Sequence, residues 1–574
     1  MGKRVYFVFI LIALGFLAVV GRLFDLMVLN HDKFVKKSAN QRIAEVDIQV
    51  RRGMIFDRKG RRLVANLERG SVYLDRANFG GNEEKLYQLA KMIDVNNNEL
   101  SGQLKSNKNF FWIKRKITLE EIAKVENLKI GGIGITPEAK RSYTLGSLAS
   151  HIIGFVNLDN KGLEGVEAKY DKELTGEGGK YAVQRDARGN RFYSEDDAEN
   201  FGNSIVLTID EGLQYIVEKE LDEAMKKWRA AAATVVMMNP FTGEILAISN
   251  RPTYDPNNPV KTSPASRRNR AVTDVYEPGS TFKIVTASGV LEEKLAREDE
   301  KIDCSGGGIE VGGKIIKDAH PHGVLTFMEV IQKSSNVGTI KLAERLGKQR
   351  LYKYIKKFGF GDKTGIDLPG EVSGLVKSPE RWSGVSIGAM PIGQEVGVTP
   401  LQIVTAYSVI ANGGYKVHPH VVKGSITEDG TFSEINKPEP GPQIVSKRVV
   451  DIVTRALMMV TQEGGTAKYA EVIGNRVAGK TGTAQMYDRS IGRYSSTDFI
   501  GSFVGFVPAE KPAFAMVVVV WKPRGEIYGG LVAAPVFKNI AEKALTYLNV
   551  PREDMIKKNV LVVDKGGNMA GILN

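Results

Sequence analysis

Apolar residues run almost unbroken from Val5 to Gly21 and resume past Arg22 in Leu23-Phe24 and Leu26-Met27-Val28-Leu29. A bilayer-spanning helix needs about 20 such residues, and an arginine near its end can snorkel to the interface. Lys3 and Arg4 precede the run, and no small-x-small cleavage site follows it. The pattern predicts a single uncleaved membrane anchor over residues 1–30. A buried core helix fits poorly with a position at the chain start and so few polar residues. No second run of this kind follows, which places everything after about residue 30 on one side of the membrane. Lys33, Lys36 and Lys37 follow the run, so charge asymmetry alone does not orient it.

Beyond the anchor the pattern is mixed, charged and punctuated by Gly. Ala44 to Val50 alternates apolar and polar, as a half-buried strand does. Asp57-Arg58-Lys59-Gly60-Arg61-Arg62 reads as a hairpin turn with solvated charges, and 84–94 and 119–127 as helices. Gly176-Glu177-Gly178-Gly179 and Asp196-Asp197-Ala198-Glu199 read as exposed turns before a boundary near 200–210. A helix is expected from Asp210 to about 229, then strands over Thr234–Met238 and Glu244–Ser249. Near the other end Asn475–Gln485, Phe499–Val507 and Ala513–Trp521 are strand-like, the last with Val517-Val518-Val519-Val520. Helical periodicity dominates between them, as over 338–357 and 399–412. Strands early and late, with helices inserted, predict an α+β domain in which an antiparallel sheet joins both ends of the segment.

At 574 residues the chain exceeds one ordinary core, and 42% hydrophobic with 25% charged residues is the composition of folded protein. The net charge of +13 carries no nucleic-acid motif with it, and the reading preferred is a basic surface near anionic lipid or polymer. Cys304 is the sole cysteine, which excludes an intramolecular disulfide and a cysteine-based metal site. Its Asp303 and Ser305-Gly306-Gly307-Gly308 neighbours read as a loop, so a bystander is expected. His320-Pro321-His322 and His418-Pro419-His420 space histidines like ligands but lack a surrounding carboxylate or cysteine set, and loop histidines are the expectation.

Candidate chemistry begins at Ser280-Thr281-Phe282-Lys283, which follows Glu277-Pro278-Gly279 and opens the apolar run Ile284-Val285-Thr286-Ala287. On a helix Ser280 and Lys283 share a face. A serine hydroxyl needs a base, and a lysine serves if burial or nearby cations depress its pKa. An N-cap serine with a solvent-facing lysine is the bland alternative, although this S-x-x-K occurs once in the chain. Ser334-Ser335-Asn336 offers a hydroxyl for proton relay and an amide to bind substrate or hold the lysine. Ser38-Ala39-Asn40 fits the same pattern, so S-x-N alone means little. Lys480-Thr481-Gly482-Thr483 lies in an expected strand, where Gly482 admits close approach of a substrate backbone while Lys480 and Thr481 face a carboxylate. Lys363-Thr364-Gly365 repeats the K-T-G pattern in a post-helix turn and is set aside.

S-x-x-K, S-x-N and K-T-G in this order resemble the penicillin-binding protein and serine β-lactamase superfamily. Arg268 to Asp274 leading into Glu277-Pro278-Gly279-Ser280 resembles class B penicillin-binding proteins, above all the division-specific branch. Asn239-Pro240-x-Thr242-Gly243-Glu244, Gly393-Gln394 with Thr399-Pro400-Leu401-Gln402, and Tyr528-Gly529-Gly530 agree. Arg52-Gly53-Met54-Ile55-Phe56-Asp57-Arg58, Arg141-Ser142-Tyr143 and Gly162-Leu163-Glu164-Gly165 resemble the family's non-catalytic pedestal, with Thr144 where proline is common. The resemblance implies a transpeptidase domain, an antiparallel sheet flanked by helices, over 206–550. It follows a pedestal over 31–205 and precedes a tail over 551–574, with the catalytic bulk outside the cytoplasmic membrane. It also implies that Ser280 attacks the penultimate D-Ala carbonyl of a stem peptide with Lys283 as base, Ser334 passing the proton to the leaving amine and Asn336 in support. Backbone N–H groups of Ser280 and Thr483 would form the oxyanion hole, and Lys480, Thr481 and Thr483 would hold the substrate carboxylate or that of a β-lactam. Gly482 belongs to the same strand site. Neither metal nor cofactor is required. A SEDS-type glycan polymerase and other division proteins are the implied partners, and septal wall synthesis the implied role. Elongation- and sporulation-specific relatives, a carboxypeptidase, a β-lactamase, a β-lactam sensor and an idle division scaffold are the alternatives. The intact motifs speak against idleness, the long N-terminal region against a β-lactamase, and the single span against a sensor.

Overall fold

The computed structural model of the protein describes residues 2–31, 33, 43–47, 51–106, 108–176, 180–185, 191–192, 202–439, 441–488 and 492–553. Lys36, Lys37, the turns expected at 177–179 and 196–199, and the tail from 554 lie outside the described residues. The chain divides into two units, Met1–Gly53 with Thr175–Gly202, and Met54–Leu174 with Asn203–Asn574.

In the first unit a helix spans Gly2–Phe24 and runs into a π-helical turn, Asp25–Leu29. Its apolar side chains from Val5 onward are exposed, as a helix made for lipid requires. Arg22 pairs with Asp25 at 2.8 Å and Asn30 donates to the same carboxylate at 2.7 Å, so the charges of the apolar stretch are matched locally. Short strands Ile43–Asp47, Lys180–Arg185 and Arg191–Phe192 form an antiparallel sheet. The strand expected from residue 44 thus begins one residue earlier, and 48–50 are not described.

In the second unit a seven-stranded sheet joins distant parts of the chain. Val422–Ile426 pairs with Ser204–Leu207, which runs parallel to Ile55–Phe56; Arg62–Asp75 follows, flanked by Phe110–Ile117 and Ile133–Tyr143. A satellite core of Val72, Leu74, Leu86, Leu89 and Phe111 seals helices Glu83–Met92 and Leu119–Asn127. The hairpin charges at 57–61 do not simply face water. Arg61 pairs with the fully buried Asp57, Lys59 with Asp210 at 3.0 Å, and Arg58 with Glu244 at 3.3 Å. The hydrophobic pattern of the hairpin could not reveal partners some 150 to 190 residues away in sequence.

The elements framing the site are, in chain order, α1 (Glu211–Trp228), β1 (Ala232–Met238), β2 (Ile245–Arg251), α2 (Lys283–Glu292), α3 (Asn336–Leu346), α4 (Pro400–Ala411), α5 (Lys447–Thr461), β3 (Ala478–Asp488), β4 (Arg493–Val507), β5 (Phe514–Trp521) and α6 (Ala534–Tyr547). The strands form one antiparallel sheet in the order β2-β1-β5-β4-β3, so the early and late strands meet as the sequence pattern predicts. Successive side chains point to opposite faces of a strand, yet all eight residues of β5 are buried, so both faces are covered. That is why Val517–Val520 reads as a continuous apolar run. α1 and α6 pack together and on the sheet; α4, buried along its length and started by a Thr399–Gln402 capping box, packs on β1, β4 and β5. The helical stretch expected over 338–357 is two helices, α3 and Lys348–Lys357, broken at Gly347, whose φ of +75° no α-helix tolerates.

Candidate active site

Ser280 lies in a 3₁₀ turn, Gly279–Phe282, that runs directly into α2, so Lys283 is the first α-helical residue. The turn is fixed from three sides. Gly279 N donates to the Gly393 carbonyl at 3.1 Å, Thr281 Oγ1 to the Pro278 carbonyl at 2.8 Å, and the buried Tyr407 hydroxyl of α4 to the Thr281 carbonyl at 3.0 Å. A Cβ at Gly393, itself at φ +78°, would fall 2.1 Å from the Gly279 oxygen, so the Gly-Gln pair is there to let two backbones touch.

Lys283 is 1% exposed, and its ammonium reaches across to the S-x-N segment. Nζ donates to the Ser334 carbonyl at 2.6 Å and Asn336 Oδ1 at 2.8 Å, with Ser334 Oγ at 3.3 Å. None of these bonds goes to Ser280. The two carbonyl-type acceptors take two N–H donors, which leaves a neutral amine one lone pair for a hydroxyl proton. Burial, and then the charge of Lys480, push Lys283 well below the usual lysine range, with Asp318 opposing. Lys480 is fully buried on β3 and loss of solvation pushes it down to about 7. Its Nζ donates to Ser334 Oγ at 2.9 Å, so the Ser334 hydroxyl stands between the two amines. That order suits a relay: the hydroxyl accepts from both amines and keeps its own proton for a third group.

β3 is the edge strand of the sheet and packs along the Ser280 turn. A Cβ on Gly482 would lie 2.5 Å from Ser502 Oγ and 2.7 Å from the Pro278 carbonyl. The glycine is therefore required by the approach of the strand to the Ser280 turn, within the protein itself. Thr481 Oγ1 lies 3.0 Å from Thr466 Oγ1 and 3.5 Å from Lys480 Nζ, and Thr483 Oγ1 accepts from Gly529 N at 3.1 Å. A Cβ on Gly279 would be 3.6 Å from Thr483 N, which brings the Thr483 amide beside the Ser280 turn. The structure thus gathers Ser280, Lys283, Ser334, Asn336, Lys480, Thr481, Gly482 and Thr483 around one edge. The second K-T-G is elsewhere occupied: Glu371 accepts from Thr364 N at 2.7 Å, Thr364 Oγ1 at 2.5 Å and Gly365 N at 3.0 Å.

Family comparison follows the same lines. A penicillin binding protein transpeptidase domain matches residues 233–542, and a penicillin-binding protein dimerisation domain matches 47–207. The chain belongs to the class B penicillin-binding proteins. Its transpeptidase domain is that of a serine acyl-transferase family. Stage V sporulation protein D of Bacillus subtilis is 36% identical over 97% of this chain and 88% of its own. Peptidoglycan D,D-transpeptidase FtsI of Escherichia coli is 34% identical over 98% and 95%. Penicillin binding protein 3 of Mycobacterium tuberculosis, in a crystal structure with aztreonam, superposes with a TM-score of 0.69 at 30% identity, covering 89% of this chain and 98% of that one.

Several contacts around the site come from residues outside the S-x-x-K, S-x-N and K-T-G motifs. Asp318 accepts from Asn336 N, from Val337 N at 3.1 Å and from Ser335 Oγ at 2.8 Å. Glu277 accepts from Tyr494 and from Glu395 N, each at 3.0 Å. Thr466 and Tyr407 were silent in the sequence too, because each acts through one oxygen on a single partner, Thr481 and Thr281, with no fixed local spacing. Cys304 is buried, with burial raising its thiol pKa, and is not part of this constellation. Of the paired histidines, His420 sets Nδ1 against the His418 carbonyl at 3.0 Å, and no cluster of three or more metal-ligating side chains occurs among the described residues.

Proposed function

We propose that this protein is a peptidoglycan D,D-transpeptidase in which Ser280 is acylated by a stem peptide, D-Ala leaves, and the amine of a second stem resolves the acyl-enzyme into a cross-link. The observation that carries the reading is Lys283: fully enclosed, pushed well below its usual range, and one helical turn from Ser280. A neutral Lys283 takes the Ser280 proton as the serine oxygen bonds to the D-Ala carbonyl. The N–H groups of Ser280 and Thr483 stabilise the oxyanion. Ser334 returns the proton to the leaving amine, and Asn336 holds the lysine. Lys480, Thr481 and Thr483 bind the terminal carboxylate, and Gly482 keeps their strand against the turn. β-Lactams acylate the same serine, a reading supported by the aztreonam complex of the mycobacterial relative.

We assign 1–30 to the anchor, 31–205 to the pedestal, 206–550 to the transpeptidase domain and 551–574 to a tail, an assignment supported by the two domain matches at 47–207 and 233–542. The catalytic bulk lies outside the cytoplasmic membrane, where stem peptides are cross-linked, and a SEDS-type glycan polymerase meets the anchor and pedestal. Septal synthesis in division is the role proposed, supported by the identity with FtsI. A sporulation-specific role is the second reading, favoured by the 36% identity with the Bacillus protein. Incubation with a pentapeptide ending in D-Ala-D-Ala and an amine acceptor should release D-Ala and yield the cross-linked product. Release of D-Ala with no product that contains the acceptor would make the protein a carboxypeptidase.

A further inference from the structure

We propose that Asp318 is a positioning residue for acyl transfer: it holds the Ser334–Asn336 segment in the one conformation that presents Ser334 and Asn336 to Lys283. The proposal rests on the reading of Ser280 and Lys283 given above. Asp318 stands just after the short strand Lys314–Lys317, and its carboxylate closes the start of α3. One oxygen takes the N–H groups of Asn336 and Val337, the other the Ser335 hydroxyl. Free N–H groups at a helix start favour an anion, and bonds to a charged acceptor are the stronger kind. The Ser335 hydroxyl, having donated to Asp318, accepts from Gly338 N at 3.0 Å, so its orientation is determined.

The neighbouring carbonyl completes the grip. Lys317 O accepts from Asn336 Nδ2 at 2.9 Å, which turns Oδ1 toward Lys283. Ser334, one residue before the clamped pair, sits at φ +60°. A serine holds that left-handed conformation only where its surroundings impose it. It is this conformation that gives Lys283 both the carbonyl and the hydroxyl of Ser334, and gives Lys480 the hydroxyl. Release of the clamp would let Ser334 relax and would loosen both lysines at once.

Charge gives the clamp a second effect. The charged groups acting on Lys283 are Lys480 from β3 and Asp318, of opposite sign. None of the other charged groups on helices packed against α2 is among those acting on Lys283, and several pair elsewhere: Lys341 with the Asp303 carbonyl, Arg345 with Glu300, Lys356 with Asp362, Lys447 with Asp451 and Arg455 with Glu298. His320, in the same loop as Asp318, is exposed, and His322 is half-buried. Asp318 is the negative group that favours the ammonium form of Lys283 against burial and Lys480.

The test compares second-order acylation by benzylpenicillin, across pH, in the parent, Asp318→Asn and Asp318→Glu. Asparagine keeps the size and removes the charge. Acylation should slow about ten- to a hundredfold, by analogy with the loss of a group that orients a metal ligand. The acidic limb of the profile should move to lower pH, because Lys283 loses the group that favours its protonation. Glutamate should leave that limb where the parent has it. A purely structural role would lower the melting temperature without moving the limb, and that result, or parental rate and profile in Asp318→Asn, overturns the proposal. Should the asparagine variant not fold, Ser335→Ala removes one bond to the carboxylate and keeps the charge. Slower acylation with an unmoved limb supports the clamp, and parental kinetics overturns it. A parent that is not acylated at Ser280 would instead defeat the reading of the site itself.

Discussion

Two buried lysines about one hydroxyl cannot both be charged without penalty, and the residue-scale chemistry follows from how they share protons. In the proposed mechanism Lys283 must be neutral to accept the Ser280 proton, so acylation should rise with pH through its depressed pKa. The same mechanism needs Lys480 charged to hold a carboxylate, and that charge is lost as pH rises through about 7. The second-order rate of acylation by a carboxylate-bearing β-lactam should therefore be bell-shaped and decline on the alkaline side of neutrality. A rate that climbs steadily to pH 9 would contradict the assignment of Lys480. Lys480→Ala should weaken acylation, and it should also move the acidic limb to higher pH, since the like charge that lowers Lys283 is gone. The lysines, serines and asparagine that the structure brings together were legible in the sequence because they stand at fixed local spacing in short motifs. Asp318, Thr466 and Tyr407 were not, because a single oxygen that meets an N–H, a hydroxyl or a carbonyl from another part of the chain leaves no local pattern.

At the scale of elements, the site depends on an edge strand pressed against a turn. The sequence pattern found β3 and its K-T-G, but it assigned Gly482 to the approach of substrate. In the structure the missing side chain first admits Pro278 and Ser502. Gly482→Ala should therefore act before substrate binds, destabilising the fold by about 1–3 kcal/mol as the strand is forced outward. Acylation should fall in the same variant, and thermal unfolding beside acylation kinetics checks both. An alanine variant with parental stability would mean that the strand accommodates the methyl and that the packing account is wrong. Gly347 teaches the same lesson about pattern. Helical periodicity continues across it, so the stretch reads as one helix, while a single φ of +75° divides it in two. The antiparallel sheet was legible in outline because apolar runs such as Val517–Val520 mark its inner strands. Its partners' order was not, since pairing of β1 with β5 joins residues nearly 300 positions apart.

For the whole molecule, the pattern was most informative at the start of the chain, where an apolar helix is readable from composition alone. It was least informative over the seven-stranded sheet, in which Val422–Ile426 returns to Ser204–Leu207 and thence to Ile55–Phe56. No periodicity forecasts that return. If the anchor holds the catalytic bulk outside, protease added to intact spheroplasts should digest it, and protection until the membrane is breached would reverse the orientation. The central claim is that Ser280 is the acylated residue, and mass spectrometry tests it most directly. Residues 31–574 with benzylpenicillin should gain one stable adduct, mapped to the peptide bearing Ser280 and absent from Ser280→Ala. A folded parent that gains no adduct, or an adduct that persists in Ser280→Ala, would contradict the account.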